Sequence, residues 1–254
     1  MRIAILSDIH ANSDALAAVL ADVARRGVET ALHLGDVVGY HTRPRQTLAL
    51  LREHGIPGVH GNHDLMALGL LPAEQCGPMG AKAMAWTRRA LSDADREYLA
   101  GLPGDLRLAG GIICVHSALG DPVVRLRSRE QFSEETDVLR RFDPDLRICL
   151  TGHTHVPQLV EVGADGVVAR DPALQRSLDP GAFCFLNPGS VGLPRDDDER
   201  ASYAVLDPDE RLVSFHRVPY DGRRVARENL RRGIRIGARP LRAGSAVTRL
   251  FWSA

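Results

Sequence analysis

Charge of neither sign is in excess in this sequence: 32 lysines and arginines stand against 32 aspartates and glutamates. Such a chain offers the phosphate backbone of a nucleic acid no general field, so nucleic acid is not an expected partner. Aromatic residues make up only 5%, too few to interleave with the late arginines (Arg223, Arg224, Arg227, Arg231, Arg232, Arg235) as a base-stacking surface requires. That run reads instead as a charged helix face. No apolar run reaches the roughly 18 residues of a membrane span. The opening MRIAILSDIH turns polar at Ser7-Asp8 and does not read as a secretory leader. The expectation is a cytoplasmic protein with no membrane partner. Cysteine is scarce as well. Cys76, Cys114, Cys149 and Cys184 lie far apart with no C-x-x-C pair, which points to reduced, buried thiols rather than a disulfide framework. Repeats, low-complexity tracts and long linkers are absent too.

What is present is ordinary for a globular protein: 44% hydrophobic and 25% charged residues over 254 positions. That length suits one large core, and a single domain over residues 1–254 is the economical reading. Residues 2–6 read as a buried strand. A helix follows, capped by Asn12 or Ser13, with Leu16, Val19, Leu20 and Val23 at helical spacing up to Arg26. Further strands are expected at 30–34, 56–60, 105–108, 111–115 and 147–150. Helices are expected from Pro44 to His54, at 78–90, 92–100, 133–142 and, as a basic amphipathic element, about 220–233. Residues 156–216 read mostly as strand and turn. Strands alternating with helices, then a β-rich half, predict an α/β sandwich with mixed sheets.

The polar residues fall in a pattern. SDIH (7–10), LGDVV (34–38), GNHD (61–64), VHS (115–117) and GHTH (152–155) each follow an expected strand, and the carboxyl ends of strands are where α/β folds bind ligands. Imidazole, carboxylate and carboxamide oxygen together suit borderline divalent metals such as Mn, Fe, Ni, Co or Zn. One ion takes about four ligands, so this set implies two, and a carboxylate such as Asp36 can bridge them. Two metals about 3.5–4 Å apart can clamp a phosphoryl group during in-line displacement.

These segments, in this order, resemble the calcineurin-like metallophosphoesterase superfamily: D-x-H, G-D, G-N-H-[DE], a lone His and G-H-x-H. The match spans about residues 6–155. The later NPGSVGLPRDDDERASYAVLD and RVPYD are similar to a bacterial subgroup of this length. The resemblance implies a four-layer α-β-β-α sandwich of two facing mixed sheets, with the metals at one edge. It implies that Asp8, His10, Asp36 and His155 hold one ion, and that Asp36, Asn62, His116 and His153 hold the other, with Mn the favoured metal. It further implies that His63 protonates the leaving oxygen or stabilises the developing charge. Asp64 would orient His63, and an activated hydroxide between the metals would attack.

Other polar residues have plainer readings. His33, His54, His60 and His216 lack motif context. His41, Arg43, Arg45 and Arg195 are candidate substrate contacts, since arginine can hold phosphate bidentately. Asn187–Ser190 reads as a turn supporting the site, and RDDDER (195–200) as a solvated loop. The segment GDVVGYHTRP lacks the Arg-Gly pair that follows G-D in serine/threonine phosphatases and symmetrical diadenosine-tetraphosphate hydrolases. The expected activity is hydrolysis of a small nucleotide-like or cyclic phosphodiester, in a cleft walled by residues 40–46, 65–80 and 117–132. The alternatives are a phosphomonoesterase on the same two metals, a metal-binding scaffold with weak catalysis, or a nuclease. Homo-oligomerisation is left open.

Overall fold

A computed structural model of the chain describes residues 1–172 and 175–236. In chain order the strands are β1 (Ile3–Leu6), β2 (Thr30–His33), β3 (Asp105–Leu108), β4 (Ile112–Val115), β5 (Ile148–Leu150), β6 (Pro157–Gly163), β7 (Gly166–Arg170), β8 (Arg176–Ser177), β9 (Phe183–Pro188), β10 (Ala201–Asp207) and β11 (Leu212–Val218). The helices are α1 (Ser13–Arg25), α2 (Pro44–Glu53), α3 (Asn62–Leu68), α4 (Gly77–Ala90), α5 (Asp93–Ala100), α6 (Arg129–Phe142) and α7 (Gly222–Arg231). One sheet runs β2-β1-β10-β11-β8 and the other β3-β4-β5-β9-β6-β7. Both are mixed: β1 pairs parallel with β2 and antiparallel with β10, while β9 pairs parallel with β5 and antiparallel with β6.

Strand alternation builds the four layers. Ala4 and Leu6 of β1 face a cluster with α1 residues Leu16 and Val19, while Ile3 and Ile5 face inward. The inward cluster also takes Ile112 and Cys114 of β4, Ile148 and Leu150 of β5, and Cys184 and Leu186 of β9, so it fills the space between the sheets. The alternate residues of those strands, Ile113, Val115, Cys149, Phe183 and Phe185, pack with Phe132 and Leu139 of α6. Strands buried on both faces lose their hydrophobic-polar alternation, as IICV and ICL show. Each fully buried aliphatic side chain in these layers contributes roughly 1.5–3 kcal/mol. The architecture is the expected α/β sandwich.

Three local expectations change. Residues 56–60 form only a single bridge, His33 to Gly58. Pro57 has no N–H to extend a ladder there, though its carbonyl accepts from His33 N–H at 2.9 Å. Residues 62–68, where no helix or strand was expected, form helix α3, closed by Gly69 in the left-handed conformation. Helix α6 begins at Arg129 rather than 133, because Ser128 and Gln131 make a capping box. Among the described residues no helix is long and apolar enough to cross a membrane.

Candidate metal centre

The polar strand ends converge. One ligand atom from each of Asp8, His10, Asp36 and His155 lies within 4.8 Å of the others, and so does one from each of Asp36, His116 and His153. All six side chains are buried. Asp36 is common to both groups. Its Oδ2 lies 3.6 Å from Nε2 of His10 and 3.4 Å from Nε2 of His116. Asn62 joins the second group, with Oδ1 3.1 Å from His116 Nε2.

Backbone carbonyls set the imidazoles. A carbonyl only accepts, so the nitrogen facing it must carry the proton. His10 Nδ1 faces Val38 O at 3.3 Å and His155 Nδ1 faces Leu193 O at 2.6 Å. That leaves the two Nε2 lone pairs, 3.1 Å apart, pointing at each other. Two acceptors that close need a cation or a proton between them. Asp8 adds a third acceptor: Oδ2 takes the Ser7 hydroxyl at 2.7 Å and His153 N–H at 3.0 Å, while buried Oδ1 has no hydrogen-bond partner. His153 is set the other way round, with Nε2 donating to Val123 O at 3.0 Å, so Nδ1 is its free acceptor. These donors fit divalent cations.

Electrostatics agree. Burial pushes His10 and His155 well below the usual imidazole range and His153 down to about 3, so these rings are neutral, as ligands must be. His116 is the exception. Burial lowers it, but the carboxylates of Asp36 and Asp8 outweigh that and raise it to about 9. Asp36 stays ionised against its burial because His116 and His63 lie beside it. Burial and nearby Asp36 push Asp8 up to about 6. In the metal-free chain a proton on His116 therefore offsets the charge of Asp36.

Local backbone aims these groups. Asp8, His10, Asp36, His153 and His155 all have φ between 50° and 66°. A non-glycine residue there is strained, so the turns at the strand ends hold their side chains against a local preference. Helix α3 starts at Asn62, and the His63 N–H donates to Asp36 Oδ1 at 2.8 Å. Glycine is required just before: a Cβ at Gly61 would collide with the Asp36 carboxylate. The Asn187 amide donates to Gly152 O at 2.6 Å and Ser190 Oγ donates to Asp8 O at 2.7 Å. The NPGS turn thus supports the ligand loops.

The structure moves several expected residues out of the site. Asp64 does not orient the His63 ring. Its Oδ2 accepts Gly61 N–H at 2.9 Å and its Oδ1 accepts Val38 N–H at 3.1 Å, so it clamps two loops. His41 is buried, with Nε2 donating to Gly192 O at 3.0 Å and Nδ1 accepting from Asn229 at 2.9 Å. Both nitrogens are used, so neither is left for a substrate. Arg43 pairs with Asp14 at 2.6 Å and Glu228 at 2.5 Å, tying α7 to α1. Arg45 lies 3.4 Å from Asp95. Arg195 does reach the site, donating to the Tyr40 hydroxyl at 3.3 Å.

The His63 ring stands beside the rings of His10, at 4.8 Å between centroids, and Tyr40, at 4.6 Å. Burial lowers its pKa, offset in part by Asp36. Gly39 leaves room for it, since a Cβ there would sit 2.7 Å from His63 Nδ1. Three residues near the site were not singled out by the sequence. Tyr40 follows Gly39, and Cys76 Sγ lies 3.8 Å from His63 Nε2 and is only partly buried, unlike the other three free thiols. Arg125 is close enough to depress both His63 and His153. Its one sequence signal is a position nine residues past the lone His116.

Residues 1–211 match the model of the calcineurin-like phosphoesterase superfamily domain. The chain is 31% identical over 227 residues to the uncharacterized protein MJ0912 of Methanocaldococcus jannaschii, covering 86% of this chain and 88% of the relative. A metallophosphoesterase from Sphaerobacter thermophilus superposes with a TM-score of 0.78 at 33% identity, over 92% of this chain and 95% of that one. Hypothetical protein PH1004 from Pyrococcus horikoshii shares the fold, with a TM-score of 0.73 at 19% identity over 94% and 96% of the two chains. With two mixed sheets carrying convergent aspartates and histidines at their strand ends, the chain belongs to the calcineurin-like phosphoesterase superfamily.

Proposed function

We propose that the protein is a dimetal phosphodiesterase acting on a small nucleotide-like or cyclic diester, with residues 1–254 as one domain. The observation that carries this reading is the shared carboxylate of Asp36, one oxygen of which faces ligands of both groups. Asp8, His10, Asp36 and His155 would hold one ion, and Asp36, Asn62, His116 and His153 the other. When bound, two divalent ions, Mn or a borderline neighbour, supply Lewis acidity and a water of lowered pKa for in-line attack at phosphorus.

The chain's own groups do the rest. His63, buried beside the rings of His10 and Tyr40, would protonate the leaving oxygen. An entering phosphoester anion raises the proton affinity of that ring, against the effect of burial. Arg195, held on Tyr40, is the candidate contact for a non-bridging phosphoryl oxygen. Asp64 acts at one remove, by fixing Gly61 and hence the start of α3. Favouring a diester over a phosphoprotein monoester is the segment GDVVGYHTRP, which has no Arg-Gly pair after Asp36.

Metal content by mass spectrometry, paired with turnover of an aryl phosphodiester and its monoester by wild type and His63→Ala, tests the reading. It expects about two metals per chain and wild-type diester turnover above the variant's by roughly 10²-fold or more. Faster monoester turnover would favour a phosphomonoesterase on the same residues. Bound metal with no turnover of either ester would leave a metal-binding scaffold. A limit of one metal would overturn the ligand set, His116 first.

A further inference from the structure

The loop between β4 and α6 is pinned over the second metal group. Val123 O accepts from His153, Ser117 donates to Val124 O, and Asp121 Oδ1 accepts from Val123 N–H at 2.8 Å. The N–H groups of Arg127 and Ser128 both bond Gln131 Oε1, at 2.9 and 3.0 Å. Arg125 and Arg127 therefore leave a fixed backbone beside the site. Among the described residues neither arginine has an ion-pair partner, and the Arg127 Nε is buried with no hydrogen-bond partner. Arg195 has no carboxylate partner among the described residues either; its one side-chain hydrogen bond there is to Tyr40. The other half-buried arginines among the described residues are all answered: Arg43 and Arg217 pair with acids, and Arg88, Arg96 and Arg211 donate to backbone carbonyls. The charges of Arg125 and Arg195 both bear on Arg127 and, with its burial, lower its pKa. Three cations thus share one rim, with a guanidinium N–H removed from water and unanswered. Such an arrangement is unfavourable until an anion enters it.

We propose that Arg125 and Arg127, with Arg195 at their edge, form a second anion subsite that takes a phosphate group of the substrate other than the scissile one. The proposal rests on the phosphodiesterase reading for its partner site and adds the substrate class: a nucleotide diester that carries a further phosphate. The subsite breaks no bond. It holds a dianion through bidentate guanidinium contacts and so fixes which phosphoryl group lies at the metals.

Matched probes read this directly. One is thymidine 5′-(p-nitrophenyl phosphate); the other is the same ester bearing a 3′-phosphate. In the metal-loaded wild type the 3′-phosphate should lower KM about 10-fold or more. In Arg125→Gln, an exposed position, and in Arg125→Gln/Arg127→Gln, the ratio of the two KM values should fall toward one. Calorimetric binding of thymidine 3′,5′-bisphosphate against thymidine 5′-monophosphate gives the same comparison without turnover. A preference of about 10-fold for the bisphosphate in wild type, lost in Arg125→Gln, supports the subsite even if neither ester is hydrolysed, an outcome that would count against the phosphodiesterase alone. Equal affinity for the two nucleotides in wild type, or a preference that survives both substitutions, overturns the subsite.

Discussion

Asp36 divides its carboxylate: Oδ1 accepts the backbone N–H of His63 at 2.8 Å, and only Oδ2 is left to face the other ligands. The residue that joins the two metal groups is thus held by the start of the helix that carries Asn62 and His63.

Asp36→Asn should therefore damage both halves at once. The amide can still receive the His63 N–H but lacks the charge that would hold two cations or, in the metal-free chain, offset a protonated His116. Metal content should fall from about two ions to one or fewer, with diester turnover reduced roughly 10²-fold or more. Mass spectrometry after dialysis against free metal checks this. Retention of both ions would show that Asp36 does not bridge.

Asp64→Ala separates clamping from catalysis. The substitution leaves buried N–H groups of Gly61 and Val38 without acceptors, at roughly 1–3 kcal/mol each. Urea unfolding should show that loss of stability. Loss of turnover with unchanged stability would return Asp64 to a direct role at His63.

Arg43 and Arg195 should behave oppositely. Arg43 and Glu228 are partly buried and paired, so a double-mutant cycle on unfolding should give a coupling of about 1 kcal/mol, with KM little changed. Arg195→Ala should leave stability nearly unaltered and raise KM about 10-fold. Kinetics and unfolding on the four proteins of that cycle and on Arg195→Ala distinguish the two cases.

The buried His41 predicts an acid-sensitive stability. Burial lowers its pKa to about 4 in the folded chain, against 6.5 for the exposed group. The unfolded chain then binds more protons below pH 6.5, so stability falls as pH drops from about 6.5 toward 4 and changes little above that. At about 1.4 kcal/mol per unit, the full effect is roughly 3 kcal/mol. His41→Gln does not titrate. Urea unfolding of metal-free protein at pH 7 and pH 4 should show the wild type losing stability relative to this variant; a constant difference would exclude the effect.

The convergent Asp, Asn and His cluster was legible because its residues sit in short segments at strand ends, where local pattern and chemistry coincide. All seven expected ligands converge as side chains from five segments. The contacts that decide substrate were not legible, because they depend on distant partners. Arg43 looks like a phosphate contact until Asp14 and Glu228, 29 and 185 positions away, are seen to occupy it. Arg125 and Arg127 show the reverse: no motif marks them, and what stands out is a buried Arg127 Nε with no hydrogen-bond partner. Helix α3 was missed because seven residues are too few to show a helical period. Asp64 misled because adjacency in sequence to His63 does not put their side chains together at the first turn of a helix.

Among the described residues, five of the eight non-glycine positions with left-handed backbone belong to the candidate metal centre. Each costs of order 1–3 kcal/mol, and glycine at the same positions would relieve part of it. Selection of variants for thermal resistance alone, with no demand for turnover, would therefore tend to erode this centre first, exchanging aspartate and histidine for glycine or asparagine. Any laboratory evolution of this protein toward hardiness needs an activity screen in every round, or it will return a sturdier molecule that has shed its chemistry.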